Sequence, residues 1–562
     1  MSNGQKFFLF MAKNTKYIFI VGGVISGLGK GIAAASIAKL LQGRGLKVSN
    51  IKIDAYVNVD AGTMNPIEHG EVFVTDDGME TDQDIGNYER FLGKKLSHIN
   101  YSTTGQIYKT VIDKERNLGY HGKCVEVVPH IPLEVIERIK NVAKRDKAEV
   151  VIIEIGGTVG EYQNILFLEA GRMMRFTNPQ DVLFVLVSYL PIPSKLGEMK
   201  TKPTQNAAKT LNSAGIQADF ILGRAEKPLD KPRKEKLSWL CNMRPEDIIS
   251  APDVDNIYKV PIFFKEEKLD EKILEKLHLK ASKKDLKEWR ALIQKIGKLK
   301  RKVKIAMVGK YFTTGGFTLT DSYISVIEAI KHAAWENNTI AELTWVDAEQ
   351  FEQNPSKIKI LKDFDGIVVP GGFGSRGIEG IINAVKFARV NKIPYLGLCY
   401  GLQMAVIEFS RNVCGLKNAN TTEVARKTRY PVVDVMPEQI KKLDAKLYGG
   451  TMRLGAYPCK IAKGTIAYES YKNNLTIQQF NNSTITERHR HRYEVNNEYR
   501  QKLIANGLVL SGTSPDGKLI EIIELNKKIH PFFVGTQFHP EFQSNPLRPH
   551  PLFRDFIKSA IK

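Results

Sequence analysis

The chain has 562 residues, which is too long for a single hydrophobic core and predicts roughly two to four domains. Apolar residues make up 43% and charged residues 25%, as in ordinary folded soluble proteins. Lys and Arg number 82 against 61 Asp and Glu, and the net charge of +21 by itself would suit an anionic partner such as nucleic acid. Because no sequence motif for DNA or RNA binding accompanies this charge, we expect a lysine-rich solvated surface and no nucleic-acid partner.

The cysteines and the N-terminal sequence indicate the cellular compartment of the protein. Five cysteines lie far apart, without a C-x-x-C pair or the pattern of a disulfide framework, which favours a reducing environment. The apolar stretch FFLFMA is too short for a convincing signal peptide, and no other stretch approaches the ~20 apolar residues of a membrane span. We therefore expect a cytoplasmic protein with no membrane partner and with an N-terminal extension at residues 1–14.

The first half of the chain alternates apolar strands, glycine-rich turns and helices. The strand KYIFIV leads into a glycine loop, GIAAASIAKLLQGRG predicts a helix ended by Gly43 and Gly45, and VSNIKID predicts a buried strand. Further strands are predicted at VVIIEIGG, DVLFVLVSYLP and ADFILGR. This alternation predicts an α/β domain with a parallel, doubly wound sheet over residues 15–278.

The glycine loop GGVISGLGKG, residues 22–31, is similar to a phosphate-binding loop that lacks its magnesium ligand. In the pattern G-x-x-x-x-G-K-[ST], backbone N–H groups surround phosphates, the lysine reaches their outer oxygens and the final hydroxyl holds Mg²⁺. Gly29 and Lys30 match this pattern, but Val24 replaces its first glycine and Gly31 replaces the hydroxyl residue. A metal used by this domain therefore needs a ligand from elsewhere.

The pattern changes between about residues 265 and 302, where the chain is charged, helical in propensity and poor in strand signals. We interpret residues 279–302 as a basic helical linker. A second alternation follows over residues 303–562, beginning with VKIAMVGK and continuing through DSYISVIEAIKHAAW and DGIVVPGG. It predicts a second doubly wound α/β domain, which is not a repeat of the first because the turn motifs differ.

The second domain contains a candidate nucleophile, Cys399, in the stretch GLCYG between an apolar strand and a helix. Such an elbow presents a nucleophile above a parallel sheet, and the helix N-terminus favours the thiolate. In GTQFHPEF, His539 and Glu541 project on the same side in extended geometry, so His539 can deprotonate Cys399 and Glu541 can fix the imidazole tautomer. The stretch Pro370–Gly377 follows a strand and offers backbone N–H groups for an oxyanion hole. A buried structural cysteine would explain Cys399 alone but not the combination.

This combination resembles the class I glutamine amidotransferase family, in which a Cys-His-Glu triad hydrolyses glutamine to glutamate and ammonia. The resemblance implies that Cys399 is the nucleophile, His539 the base and Glu541 the orienting carboxylate. It implies glutamine recognition at Gly372, Tyr400, Gly401, Leu402, Gln403, Glu423 and Arg492. Tyr400 departs from the aliphatic residue usual in that family, and we expect little effect because the position contributes mainly through its backbone N–H.

Longer stretches closely resemble the CTP synthase family over nearly the whole chain and in the expected order. They are KYIFIVGGVISGLGKGIAAASIAKLL, IKIDAYVNVDAGTMNPIEHGEVFVTDDGMETDQDIGNYERF, EIGGTVG, KTKPTQ and GGTMRLG. The resemblance implies that an N-terminal amidoligase uses ATP to phosphorylate O4 of UTP, and that ammonia from glutamine then displaces phosphate to give CTP. It also implies Mg²⁺ as cofactor, GTP as allosteric activator, CTP as feedback inhibitor, and a homotetramer with nucleotide sites at subunit interfaces.

The resemblance assigns roles residue by residue. Metal ligands are implied at Asp84 and Glu154, which accounts for Gly31, since Mg²⁺ prefers carboxylate oxygens. ATP contacts are implied at Gly27, Leu28, Gly29, Lys30, Gly31, Ile32, Lys52, Asp84, Pro252, Asp253 and Val254. UTP or CTP contacts are implied at Ser26, Glu161, Tyr162, Gln163, Lys200, Thr201, Lys202, Pro203, Thr204, Gln205 and Lys236, and an ammonia passage at Pro66, His69 and Val72. Gln163 replaces an acidic residue of the family, which predicts weaker inhibition by CTP.

Structural interpretations stand beside these roles. Without the resemblance, Asp84 could be a helix N-cap, Glu154 a strand-end surface residue and Lys52 a strand-edge lysine. Another amidoligase fused to a glutaminase, such as a cobyrinic acid amidating enzyme, would share the domain organisation but not the segments KTKPTQ and GTMNPIEHGE. A partition-type ATPase that binds DNA would explain the glycine loop and the positive charge, but it leaves the Cys-His-Glu combination without a purpose.

Overall fold

The computed structural model of the chain describes residues 15–195, 197–282, 285–310, 313–314, 317–318, 320–445, 449–473 and 483–561. The predicted extension at residues 1–14 lies outside them. Contacts divide the chain into two compact units. The first comprises the described residues up to Asp60 together with Asn87–Ile293, and the second comprises Ala61–Gly86 together with the described residues from Gln294 onward. Across the described ranges, no helix combines the length and apolar composition needed to cross a membrane.

The first unit is built on a seven-stranded sheet. In order across the sheet, its strands are Tyr101–Thr103, Val48–Asp54, Val150–Ile155, Lys16–Gly22, Val182–Tyr189, Phe220–Ala225 and Ile248–Pro252. All neighbouring strands are parallel. The five strands predicted from their apolar sequences are present, and the two edge strands are additional.

Helices cover both faces of this sheet. They include Lys30–Gly43, Thr104–Arg116, Val127–Asp146, Ile165–Thr177, Lys202–Ser213, Lys231–Cys241, Val260–Glu266 and Leu269–Lys276. In the central strand, Tyr17, Ile18, Phe19 and Ile20 are all fully buried, although successive side chains point to opposite faces. A parallel sheet buried on both faces is the doubly wound arrangement that the sequence predicts. The carboxyl ends of its strands meet at one edge, which is where ligands bind in open α/β sheets.

The second unit is built on a nine-stranded sheet of mixed direction. In order, its strands are Ile340–Asp347, Lys302–Gly309, Gly366–Val369, Tyr395–Leu398, Phe533–Thr536, Ile520–Leu525, Leu508–Thr513, Arg453–Ile461 and Thr484–His491. The first five run parallel to one another, and each later neighbour is antiparallel. The α/β class predicted for both halves is confirmed, and the antiparallel extension is a feature that the sequence did not indicate.

Helices and small sheets complete the second unit. The helices include Pro66–His69, Ile324–Glu336, Glu349–Gln353, Ile378–Asn391, Tyr400–Asn412, Pro437–Asp444, Ile466–Lys472, Arg500–Ala505 and Pro551–Ala560. Small sheets pair Phe73–Val74 with Glu80–Thr81, Thr313–Thr314 with Phe317–Thr318, and Asn420–Thr421 and Tyr493–Val495 with Pro431–Val435. Two helices cross the borders between units, Gln83–Leu92 and Lys287–Lys298. The second of these falls inside the predicted linker 279–302.

Residues 61–86 belong to the second unit although the chain places them among strands of the first. Buried Arg488 donates from Nε to Asp76 Oδ1 at 2.5 Å, and Arg490 donates from Nε to Glu80 Oε1 at 2.8 Å. The backbone N–H of Ser325 donates to the buried Glu71 carboxylate at 3.2 Å. These bonds fasten the segment to the fold that carries Cys399. The predicted domain limits at 278 and 303 follow chain order and stay a prediction.

Candidate active sites

Cys399 lies in a strained turn between the strand Tyr395–Leu398 and the helix Tyr400–Asn412. Its φ and ψ are 48° and −94°, a conformation that costs a non-glycine residue about 1–3 kcal/mol. Gly401 makes the turn possible, because a Cβ there would lie 2.3 Å from the carbonyl oxygen of Val369. The backbone N–H of Cys399 donates to Thr536 O at 2.6 Å, which ties the turn to the next strand. The elbow predicted from GLCYG is therefore present.

His539 and Glu541 form a buried pair beside this turn. Nδ1 of His539 lies 2.7 Å from Glu541 Oε1, which leaves Nε2 as the nitrogen that can take a proton from a thiol. The Phe542 ring stacks on the imidazole at 5.1 Å between centroids. A Cβ built on Gly371 would lie 2.9 Å from His539 Cε1 and 3.9 Å from Cys399 Cβ, so both side chains converge on one glycine.

Charge on the partners of His539 favours the imidazolium form. Burial disfavours a charged ring, but the carboxylate of Glu541 and the nearby sulfur of Cys399 outweigh it and raise the pKa of His539 to about 10. A proton taken from Cys399 would therefore rest on the imidazole at neutral pH. The arrangement suits a thiolate and imidazolium pair, the reactive form of a cysteine nucleophile.

The glycine-rich loop Pro370–Gly377 is held by three polar side chains. The backbone N–H of Gly374 donates to Glu423 Oε1 at 2.7 Å. The Gly374 carbonyl accepts from Lys310 Nζ at 2.6 Å and from the Tyr400 hydroxyl at 2.9 Å. Lys310 also lies over the Tyr400 ring, 4.4 Å from its centroid, and burial lowers the pKa of its ammonium to about 8. The loop is thus fixed before any ligand arrives.

A cavity of about 90 Å³ opens beside the nucleophile. Cys399, His539 and Gly371 form part of its wall, and Pro66 and Val72 form another part. Two of the three residues predicted for an ammonia passage therefore reach the cavity that contains Cys399. The third, His69, lies in the same segment, where its Nε2 is 3.5 Å from Asp82 Oδ2.

In the first unit, the glycine loop follows the strand Lys16–Gly22 and leads into the helix Lys30–Gly43. Val24, which stands where a phosphate loop has its first glycine, has a φ of 81°, so the backbone keeps the left-handed conformation despite the side chain. Within the described chain, no side chain caps the N-terminus of this helix. A helix N-terminus that follows a glycine loop is suited to bind an anion, as at other phosphate-binding helix ends.

Beside the loop, a buried charged cluster lies at the carboxyl ends of two strands. Lys52 Nζ contacts Glu154 Oε1 at 2.9 Å and Asp54 Oδ1 at 3.6 Å, and Glu154 also accepts a hydrogen bond from the Tyr88 hydroxyl. Glu154 is 1% exposed, which contradicts its interpretation as a surface residue. Lys52 is 6% exposed, so it is not a solvated strand-edge lysine either. A buried charge cluster at this edge is suited to phosphate and metal chemistry.

Comparison with known proteins gives matches over both halves. The family model for the CTP synthase N-terminus matches residues 16–279, and that for class-I glutamine amidotransferases matches residues 318–559. The chain is 52% identical to a CTP synthase of Caldanaerobacter subterraneus over 547 residues, which cover 97% of this chain and 98% of that protein. It is 51% identical to a CTP synthase of Carboxydothermus hydrogenoformans over 98% of this chain and 99% of that protein. The chain belongs to the CTP synthase family. The predicted family and reaction, ATP-dependent amination of UTP with glutamine as nitrogen donor, are thereby confirmed.

The residues predicted to bind glutamine in this CTP synthase family member have different surroundings. Gly372 lines the cavity beside Cys399, while Tyr400 and Glu423 hold the adjacent loop. Leu402 lies in the hydrophobic core. Gln403 is buried and donates from Nε2 to the Tyr493 carbonyl at 3.0 Å. Arg492 donates to Gln439 Oε1 at 2.7 Å and to Thr451 Oγ1 at 2.8 Å, away from the residues that form the cavity wall.

The residues predicted to bind UTP, CTP or ATP lie in loops, strands and helices of the first unit, except Asp84, which belongs to the second unit. Ser26 is exposed in the glycine loop, and Lys202 and Pro203 begin the helix Lys202–Ser213. Lys200 and Lys236 both interact electrostatically with the carboxylate of Glu198. The pKa of Glu198 is lowered, chiefly by its hydrogen bond with Lys200. Thr204 is buried and bonded to Ser188 at 2.9 Å, so its hydroxyl has a structural partner. Asp253 follows a strand end and pairs with Arg224 at 2.8 Å.

Glu161 and Gln163 contact each other in the predicted CTP site. Glu161 Oε1 accepts from the Thr158 N–H at 2.8 Å, and Glu161 Oε2 accepts from Gln163 Nε2 at 2.7 Å. Partial burial opposes ionisation, but these bonds and the charge of Lys30 lower the pKa of Glu161. Tyr162, between them, is 96% exposed.

Asp84 lies in the first turn of the helix Gln83–Leu92, where its backbone N–H donates to Asp82 Oδ1 at 2.8 Å. Its alternative interpretation as an N-cap is wrong, because Asp82, two residues earlier, supplies the side-chain oxygen that caps the helix. By contacts Asp84 belongs to the second unit and Glu154 to the first. Their joint role as metal ligands therefore stays a prediction.

Sequence reasoning missed three polar side chains at these sites. Lys310 follows a strand directly, a position where a charged residue could have drawn attention. Gln537 stands two residues before His539, and its amide Nε2 lies 3.5 Å from Cys399 Sγ. Tyr88 carried no recognisable signal, because an aromatic residue in an amphipathic helix is usually part of the core.

Tyr400 gives a testable departure from the family. We expect Tyr400→Phe to lower glutaminase turnover about fivefold, because the loss of one hydrogen bond of about 1 kcal/mol loosens Gly374. Turnover with ammonium in place of glutamine is expected to stay unchanged, and it serves as the internal control in the same preparation. Glutaminase turnover within twofold of the parent would show that only the backbone of Tyr400 matters.

Proposed function

We propose that Cys399 of the second unit hydrolyses glutamine and that Lys30, Lys52 and Glu154 of the first unit serve the ATP-dependent amination of UTP to CTP. Cys399 and His539 converge on Gly371, beside a cavity that Pro66 and Val72 also line. This convergence is the observation that supports the first half of the proposal. A UTP-to-CTP assay with ATP and Mg²⁺, run with glutamine and with ammonium separately, tests both halves. CTP formation from neither nitrogen source would overturn the proposal.

In the glutaminase half, the Cys399 thiolate attacks the carboxamide carbon of glutamine. His539, protonated by the thiol, returns that proton to the departing nitrogen, so ammonia leaves and a glutamyl thioester remains. Water, deprotonated by His539, then hydrolyses the thioester to glutamate. Glu541 keeps Nε2 of the imidazole directed at the reacting atoms. Because Glu423 engages the N–H of Gly374, the N–H groups of Gly372 and Tyr400 are the candidates for the oxyanion hole.

In the synthetase half, ATP transfers its γ-phosphoryl group to O4 of UTP, and ammonia then displaces phosphate at C4. Lys30 begins the helix Lys30–Gly43, Lys52 lies in the strand Val48–Asp54, and both are buried; their charges neutralise the transferring phosphoryl group. The Glu154 carboxylate supplies the hard oxygen donors that Mg²⁺ accepts, with Asp84 as the second predicted ligand. Mg²⁺ bound there would offset phosphate charge.

The passage of ammonia is supported by the residues beside Cys399. Pro66 and Val72 are apolar and line the cavity into which ammonia would be released. These two side chains offer no proton donor on their part of the wall, although Glu71, Ser322 and Arg490 line the same cavity. We assign His69, in the same segment, to this passage as well.

Assembly and regulation follow from the family. A homotetramer is supported by large aromatic side chains exposed on the first unit, Phe176 at 82%, Tyr162 at 96% and Trp239 at 86%. GTP as activator, CTP as inhibitor and a cytoplasmic location are carried over from the sequence resemblance. The rival DNA-binding ATPase predicts salt-dependent retention on DNA, which we do not expect for this chain.

Gln163 provides a test of the inhibitor site. In the structure the Gln163 amide donates a hydrogen bond to Glu161 Oε2, so an inhibitor must compete with Gln163 for that oxygen. We expect Gln163→Glu to lower the inhibitory CTP concentration about tenfold, since a charged acceptor replaces an amide and Glu161 Oε2 is released. The Michaelis constant for UTP is expected to change little.

Gln163→Ala is the matched control, because it releases Glu161 without adding an acceptor. An intermediate inhibition constant for this variant would separate the two effects. An inhibition curve that does not move in either variant, at fixed UTP and ATP, would place residue 163 outside the inhibitor site or show that it is neutral there.

A further inference from the structure

Gln537 is a buried amide in direct contact with the nucleophile. It follows the strand Phe533–Thr536, is 0% exposed, and lies two residues before His539. Its Nε2 donates to Cys399 Sγ at 3.5 Å, an ordinary length for a hydrogen bond to sulfur. The backbone N–H of Gln537 donates to the Glu521 carbonyl at 2.8 Å, which fixes the chain at this point.

The direction of this amide is set by its neighbours. Gln403 Nε2 has two hydrogens, one donated to the Tyr493 carbonyl at 3.0 Å and the other to Gln537 Oε1 at 3.5 Å. A backbone carbonyl can only accept, so the nitrogen of Gln403 must face Tyr493. The oxygen of Gln537 must then face Gln403, and its nitrogen must face the sulfur. The orientation is therefore dictated by a chain of hydrogen bonds that begins at the main chain.

A neutral thiol is a weak partner for such a donor. Thiol sulfur accepts hydrogen bonds poorly, whereas a thiolate carries a full charge and bonds to charged groups are about twice as strong as neutral ones. A buried amide normally finds oxygen or nitrogen partners. An amide that donates to sulfur therefore forms a comparably strong hydrogen bond only when the sulfur is charged. Although burial opposes it, the neighbouring carboxylate of Glu541 raises the pKa of His539 to about 10, so this imidazole is suited to hold a proton given up by a thiol.

We infer that Gln537 is a fourth member of the glutaminase site, whose amide donates to the Cys399 thiolate and holds its sulfur in position for attack. The inference rests on Cys399 being the nucleophile. His539 takes the proton of the Cys399 thiol and later returns it, whereas the amide nitrogen of Gln537 only donates a hydrogen bond to the sulfur, so the two side chains have different roles. Gln403 and the Tyr493 carbonyl keep the Gln537 amide in the donating orientation.

Alkylation of Cys399 tests this role without requiring turnover. The full chain is treated with iodoacetamide over a pH series, and modification of each cysteine-containing peptide is followed by mass spectrometry. In Gln537→Met, which keeps the length of the side chain and removes the donor, we expect the midpoint of the Cys399 profile to rise by about one pH unit. Exposed Cys124 is the control in the same tube, and its profile is expected to stay unchanged.

Gln537→Glu separates a donor effect from packing. The glutamate has the shape of glutamine but places a carboxylate against the sulfur, so we expect a larger upward movement of the midpoint than in Gln537→Met. CTP synthesis from ammonium reports whether each variant is folded and is expected to match the parent. An unchanged Cys399 midpoint in both variants, with or without a fall in melting temperature, would overturn the inference and leave Gln537 a structural residue. A Cys399→Ala variant that still hydrolyses glutamine would instead overturn the assignment of the nucleophile, so the two failures are distinguishable.

Discussion

Cys399→Ala is expected to abolish CTP formation from glutamine and to leave the reaction fed by ammonium within twofold of the parent. The thiol is held in a strained elbow beside His539, and no other side chain on the cavity wall is a cysteine or serine nucleophile placed against that imidazole among the described residues. Removal of a catalytic nucleophile lowers turnover by about 10⁴-fold or more. The ammonium reaction is proposed to depend on Lys30, Lys52, Glu154 and Asp84, so it does not need the thiol.

The measurement is CTP formation with each nitrogen source, together with glutamate release from glutamine. Cys414→Ala is a matched control, because Cys414 is a buried thiol of the same unit that contacts the Lys502 carbonyl at 3.9 Å. We expect this control to retain both reactions. Loss of both reactions in a folded Cys399→Ala protein would contradict the separation of the two chemistries.

Glu154→Gln is expected to suppress CTP synthesis more than a hundredfold with either nitrogen source, while basal glutamine hydrolysis persists. The carboxylate is 1% exposed and contacts Lys52 at 2.9 Å, so the variant removes both the proposed metal donor and the ion-pair partner of the lysine proposed to neutralise phosphate. Breaking a buried ion pair from one side costs about 3–5 kcal/mol of folding stability, so a fall in melting temperature is expected as well. Hydrolysis of glutamine by the same preparation shows that the protein is folded.

Asp84→Asn tests a predicted metal ligand without breaking the ion pair between Lys52 and Glu154. Asp84 is half-buried, and its backbone bond to Asp82 survives the substitution, so we expect the same loss of synthesis with little loss of stability. Gly31→Ser, added to either variant, is expected not to restore activity, because the predicted metal ligands are the carboxylates of Asp84 and Glu154 rather than the glycine loop. Glu169→Gln, which breaks a partly exposed pair with Arg172, is the control and should retain synthesis. Synthesis within tenfold of the parent in both Glu154→Gln and Asp84→Asn would refute these ligands.

The triad was accessible to sequence reasoning because its parts are local. GLCYG contains the glycine that its turn requires, because a Cβ built on Gly401 would lie 2.3 Å from the Val369 carbonyl oxygen. In GTQFHPEF only one residue separates His539 and Glu541, so a short local turn can bring the two side chains together. The predicted extended geometry is wrong, because the 3-10 helix Pro540–Gln543 places Glu541 against the imidazole. The glycine loop is local in the same sense, since Gly29 and Lys30 lie at a strand-to-helix turn that the apolar pattern predicts.

The sequence by itself determined the fold class, the order of the two halves and the residues of these turns, because apolar periodicity and glycine positions act within a few residues of chain. Only the tertiary structure decided that residues 61–86 belong to the unit that holds Cys399, through bonds such as Arg490 to Glu80 that join residues 410 positions apart. It also decided that Lys310 and Tyr400 hold the glycine-rich loop and that Gln537 contacts the nucleophile. Such contacts depend on which strands become neighbours in a sheet, and strand order is set by packing of the whole unit rather than by any local pattern.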